Sequence, residues 1–125
     1  MSLDVYLEGP PQTVECRCST CWHKHEREEC EELYSRNITH NLNTMADNAG
    51  IYQALWRPEE LSITRAKQLI ARLEVGLAKL EADPEHFKQW DAENGWGLYK
   101  HLVSFVRGYL EACREYPDAH VRVSR

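Results

Sequence analysis

The sequence predicts an α+β fold in which helices pack on a small antiparallel sheet. Three observations predict it. Leu3, Val5 and Leu7 alternate with Asp4, Tyr6 and Glu8 at the period of a half-buried strand. Apolar residues recur at steps of three and four over two long stretches, 62–82 and 97–116. Near the carboxyl end, His120 to Ser124 alternates again through Val121 and Val123, so a terminal strand can return to the first.

Each element has its own signal. Gly9-Pro10-Pro11 breaks the first strand and reads as a turn, after which Thr13 to Cys18 pairs back as a hairpin. Thr39 caps a short helix that runs to Gly50 with Leu42, Met45, Ala46 and Ala49 on one face, and Ile51 to Trp56 extends it by a turn or two. Arg57-Pro58 then forces extended backbone. Ser62 to Ala82 is the longest helical signal, carried by Ala66, Leu69, Ile70, Leu73, Leu77 and Leu80. Asp83-Pro84 is a cap followed by a first-turn proline, opening a brief helix that buries Phe87 and Trp90. After the Asn94-Gly95-Trp96-Gly97 loop, the last helix sets Leu102, Phe105, Val106, Tyr109, Leu110 and Cys113 on one stripe, and Pro117-Asp118 ends it.

At 125 residues the chain fits a single domain, 1–125, long enough to bury a real core. A formal charge of -5 argues against broad electrostatic binding to nucleic acid or anionic membranes. The sequence holds no apolar run long enough to span a bilayer, and Met1 to Leu7 lacks the regions of a signal peptide, so a soluble protein of the cytoplasm is expected.

Four of the five cysteines crowd into Cys16 to Cys30, whereas a disulfide framework spreads them to tie distant segments together. Thiolate and imidazole suit tetrahedral zinc, and Cys18-x2-Cys21 has the spacing of a zinc knuckle. Cys16, Cys18, Cys21 and His25 are the expected ligands, with His23 and Cys30 as reserves and His40 as a distant ligand or proton-transfer group should a position stay open. The competing readings are reduced surface thiols and an exchangeable disulfide. Three thiolates compensate the ion's charge, so structural zinc is favoured over catalytic zinc. The metal-binding insertion spans about 14–33, because His25 to Leu33 is nearly all charged and has too little apolar surface to fold unaided. It adds an N-terminal zinc-binding loop to the α+β scaffold. Cys113, alone at an apolar helix position, reads as core.

Tyr34 to Asn41 concentrates hydroxyl, guanidinium, amide and imidazole groups ahead of a helix start, which suits an anion or a polar ligand. Capping alone accounts for Thr39 and Asn41. Trp56 and Trp96 read first as core anchors and, more sharply, as two walls of a ligand groove. The ligand-binding candidates are His40, Asn37, Trp56 and Trp96.

The strings Asn37-Ile38-Thr39-His40-Asn41, Ala49-Gly50-Ile51-Tyr52, Leu55-Trp56-Arg57-Pro58-Glu59-Glu60 and Asn94-Gly95-Trp96-Gly97 together resemble a family of small, uncharacterised proteins of bacteriophages and prophages. The resemblance covers most of the chain and rests on phrase-like motifs. It implies a viral or mobile-element origin and carries no activity. Some relatives lack the cysteine run, which implies that NITHN and NGWG, more than the zinc, mark the shared function.

The expectation is a zinc-stabilised, non-enzymatic phage accessory protein that binds a host or phage protein or a small polar ligand. Two alternatives stand beside it. A metal-dependent hydrolase or nuclease would place His40 and a cluster histidine around an open zinc with Glu26 or Glu28 as base, although no spacing matches H-E-x-x-H. A zinc knuckle for nucleic acid would use Arg17, Trp22, Lys24 and Arg27, diluted by Glu26, Glu28 and Glu29.

Overall fold

In the computed structural model, helices pack on a three-stranded antiparallel sheet, as the periodicities require. The structure describes the backbone of residues 2–17 and 24–125, and the side chains of 2–9 and 32–125. Strands β1 (Ser2–Arg17) and β2 (Lys24–Thr39) run antiparallel, and β3 (His120–Ser124) joins the other side of β1, giving the order β2-β1-β3. Between the strands lie α1 (Asn43–Asn48), α2 (Tyr52–Trp56), α3 (Lys67–Ala82), α4 (Pro84–Lys88) and α5 (Tyr99–Glu115).

The alternation at the start of β1 is realised in full. Leu3, Val5 and Leu7 are completely buried, while Asp4, Tyr6 and Glu8 stay partly open. The register sets Leu3 opposite Ile38, Val5 opposite Arg36 and Leu7 opposite Tyr34. Opposite positions share a face, so Tyr34, Arg36 and Ile38 complete the row that the helices cover. On the other face Arg122 of β3 lies 3.9 Å from the Tyr6 ring centroid and 2.7 Å from the Glu8 carboxylate. That cation offsets the opposition of Glu8 and Glu32 across the ladder.

Three expectations about the amino-terminal third change. Gly9-Pro10-Pro11 is no turn. The strand passes through it with register shifts between Leu7 and Glu8 and between Glu8 and Pro11. β3 pairing ends at Glu8 opposite His120, so beyond that point a proline's missing N–H takes no bond from a neighbour on that side. The hairpin partner is Lys24–Thr39 rather than Thr13 to Cys18, and the charged segment 25–33 is part of that strand rather than a solvated excursion. Ladder bonds between backbones need no apolar side chain, which is why charge did not prevent the pairing.

The helices follow their stripes. α3 and α5 pack against each other through Leu69, Leu73 and Leu80 on one side and Leu102, Phe105, Val106 and Tyr109 on the other, all at most 1% exposed. Arg107 to Glu81 and Arg114 to Glu74, both 2.7 Å, close the solvent side of the pair. Gly76 lies in the α3 interface, where an added Cβ would stand 2.1 Å from Ile51 Cγ2. Cys113 is fully buried, as expected of a core thiol, and burial pushes it up to about 12. α3 begins at Lys67, later than Ser62, because 64–66 is engaged elsewhere. Gln68 Oε1 accepts the Thr64 and Arg65 N–H groups at 2.8 and 2.9 Å, the Ala66 N–H donates to the Ala119 carbonyl, and the Thr64 carbonyl accepts the Val121 N–H. Among the described residues no helix is long and apolar enough to cross a membrane.

Candidate functional site: a cleft between two motifs

At Thr39 the second strand gives way to a 3-10 turn, His40–Leu42, and the Thr39 hydroxyl accepts the Asn41 N–H at 3.3 Å. This fixes Asn41 so that its amide donates to the Trp96 carbonyl at 2.8 Å. Asn94 Oδ1 accepts the Trp96 N–H at 3.0 Å, the local turn for which Asn is suited. Gly97 has φ +117, and a Cβ there would stand 3.1 Å from both Asn41 Cβ and Thr39 Cγ2. Only glycine lets the loop come this close while taking that conformation. The motifs at 37–41 and 94–97 are therefore joined by one hydrogen bond and one close approach.

Between them opens a cleft of about 1090 Å³ lined by Arg36 to Asn41, by Asn94 to Gly97, and by Ser2, His101, Ser104 and Phe105. Trp96 borders it with its side chain 71% exposed. Its backbone is held on both sides by Asn41 and Asn94, so the indole is an apolar surface presented from a fixed turn.

The two histidines of the cleft have assigned tautomers. Trp56 Nε1, which can only donate, bonds to His40 Nδ1 at 2.8 Å, so His40 carries its proton on Nε2. His101 Nδ1 accepts the Leu98 N–H at 3.1 Å at the start of α5, which again leaves the proton on Nε2. Arg36 donates to the Ser104 carbonyl at 3.0 Å and to Ser104 Oγ at 2.9 Å, with its guanidinium 6.0 Å from the Phe105 centroid. Among the described residues no carboxylate lines this cleft, in a chain with 20 Asp and Glu against 15 Lys and Arg. The cleft is a donor-rich site in an acidic protein.

The four ligand-binding candidates divide. His40 and Trp96 line the cleft. Asn37 lines it too, but its amide nitrogen is committed to Ser2 Oγ and Asp4 Oδ1, both at 2.8 Å, which makes it a brace for the start of β1. Trp56 is 1% exposed, stacks on Tyr52 at 5.5 Å and supports His40 from behind. It is a positioning residue and not the second wall of a groove. His101 and Ser104 went unmarked in the sequence. A histidine in the first turn of a helix that lacks an Asp or Glu there was the available signal for His101.

Of the metal candidates, Cys18 and Cys21 lie outside the described residues, as does His23. The described backbone sets Cys16 directly opposite His25 in the ladder. Cys30 pairs with Pro11, five positions along β2 from His25, or about 16 Å at strand rise. His40 follows the far end of β2, 15 positions from His25 and roughly 40–50 Å away along an extended strand. His40 and a ligand at position 25 therefore lie too far apart along the strand to share one ion. Comparison of the chain with protein-family models, curated proteins and solved structures finds no match, so the geometry of the cleft and the hairpin register carry the functional reading.

Proposed function

We propose that this is a non-enzymatic binding protein whose cleft between the NITHN turn and the NGWG loop holds a small polar ligand, with a zinc ion at Cys16, Cys18, Cys21 and His25 fixing the far end of the hairpin. The observation that carries the binding half is the meeting of the two motifs on one cleft through Asn41 and Trp96. No carboxylate or cysteine lines the cleft among the described residues, and both histidines have one nitrogen committed internally, which favours holding a ligand over transferring protons. Val75 and Trp96 are the only exposed large hydrophobics among the described residues, which favours a small ligand over a protein partner. The backbone register that sets position 16 opposite position 25 supports the zinc half, because both positions carry residue types that ligate zinc. Together with the motif resemblance, these features support an accessory protein of a phage acting in the host cytoplasm.

Native mass spectrometry tests both halves. Protein purified without added metal is incubated with the small-molecule fraction of a cell extract and desalted. One zinc per chain and a small-molecule adduct lost in Trp96→Ala are expected. A folded chain free of metal overturns the zinc half, and identical spectra for wild type and variant overturn the cleft.

A further inference from the structure

The donors and the indole specify more than polarity. We infer that the ligand of the cleft is a nucleotide, a planar aromatic base carrying a phosphate, and this rests on the reading of the cleft as a ligand site.

Trp96 supplies the first argument. A 71% exposed indole on a backbone held at both its N–H and its C=O is a preformed stacking surface, and every nucleobase has a face that such a ring accepts. The conformational cost of ordering its backbone is met within the fold, before any ligand arrives.

The donors supply the second. Arg36 contributes a positive charge, and His40 and His101 each contribute an Nε2–H by the tautomers that Trp56 and Leu98 impose. Among the described residues no carboxylate on the lining opposes an anion. Arg36 gives one N–H of each terminal nitrogen to Ser104, which fixes its guanidinium and leaves three of its five donors for a ligand. Separate donors on a strand, a turn and a helix suit the several oxygens of a tetrahedral phosphate. At about 1090 Å³ the cleft has room for base, sugar and phosphate together. The same chemistry comes from a free nucleotide or from one unit of a single strand.

Isothermal titration separates these. The full chain is titrated with AMP, with a short oligo-dA, and with adenosine and inorganic phosphate alone, in wild type, Trp96→Ala and Trp96→Phe. Binding of AMP or oligo-dA is expected, with adenosine and phosphate each at least tenfold weaker. Trp96→Ala is expected to weaken binding roughly ten- to hundredfold, and Trp96→Phe to keep most of it. Tighter binding of oligo-dA that falls steeply with salt assigns the single strand, and tighter, salt-tolerant binding of AMP assigns the free nucleotide. Absence of binding by all four probes, equal binding by Trp96→Ala, or phosphate alone matching AMP overturns the inference. If these probes fail while the Trp96-dependent adduct persists in native mass spectra, the ligand class is wrong and the cleft stands. Loss of both removes the cleft as well. Melting temperature checks the variants, whose side chains project into solvent.

Discussion

Replacing His40 separates what its two ring nitrogens do. Nδ1 accepts the Trp56 Nε1–H at 2.8 Å, and Trp56 is 1% exposed, so its indole N–H has no water to turn to when the acceptor goes. His40→Ala leaves that donor unpaired, at a cost of about 1–3 kcal/mol. For a chain of this size about 1 kcal/mol moves the melting temperature by roughly 3–5 °C, so a fall of roughly 3–15 °C is expected. His40→Asn places an amide oxygen near the Nδ1 position and keeps an acceptor for Trp56, so its loss should stay under about 1 kcal/mol. Both variants remove Nε2–H from the cleft, and both should lose ligand affinity to a similar degree. Thermal unfolding followed by circular dichroism, with ligand titration on the same preparations, reads the two effects separately. Equal melting temperatures for His40→Ala and His40→Asn would refute the argument that the Trp56 bond fixes this histidine.

Three further outcomes follow from the packing. Gly97→Ala should cost about 1–3 kcal/mol and abolish binding, because it combines φ +117 with contacts at 3.1 Å, whereas Gly95→Ala, with φ +77 and open space around it, should cost only about 1–2 kcal/mol, as read by denaturant unfolding. Gly76→Ala gains about 1 kcal/mol of helix propensity but overpacks Ile51 for about 1–3 kcal/mol, so a net loss is expected, relieved in the double variant with Ile51→Ala and measured as a coupling energy. Cys113 is protonated in both states below pH 9, but between its ordinary 9.0 and its folded value of about 12 only the unfolded thiol ionises. Stability should therefore fall as pH rises through that window, by up to about 1.4 kcal/mol per pH unit. Half-buried Tyr34 and fully buried Tyr109, both raised by desolvation, add to the loss at higher pH. Cys113→Ala should flatten the slope between pH 9 and 10, and unchanged slopes in urea titrations would count against it.

The helices were legible because their stripes are dense and their ends are marked. Asp83 accepts the His86 N–H at 3.3 Å, Pro84 opens α4, and Phe87 is buried, all as the local text implies. The start of α3 was not legible, because Thr64 and Arg65 bond to Gln68 and β3, and a bridge to residues more than fifty positions away leaves no periodic trace. β2 was hidden by the charge of its first half and by one arginine in the pattern of its second. Tyr34, Arg36 and Ile38 share the covered face, and an arginine in the middle of that row reads as solvent-facing until its guanidinium is seen to reach Ser104. The same holds for the cleft. Both motifs stood out as phrases, but the 55-residue separation between Asn41 and Trp96 is spanned only by the fold, and nothing local to Trp56 says that its N–H supports His40.

Asp4 pairs with Ser124, so the middle strand of the sheet acquires its last neighbour from the opposite end of the chain. During synthesis the segment from Ser2 to Glu8 is made well before His120 to Ser124, so its second edge stays uncovered until that later segment arrives. Contacts of such long sequence separation slow the closing step of folding. A nascent chain that has not yet reached His120 would therefore carry an unpaired row of backbone N–H and C=O groups along one edge of its first strand.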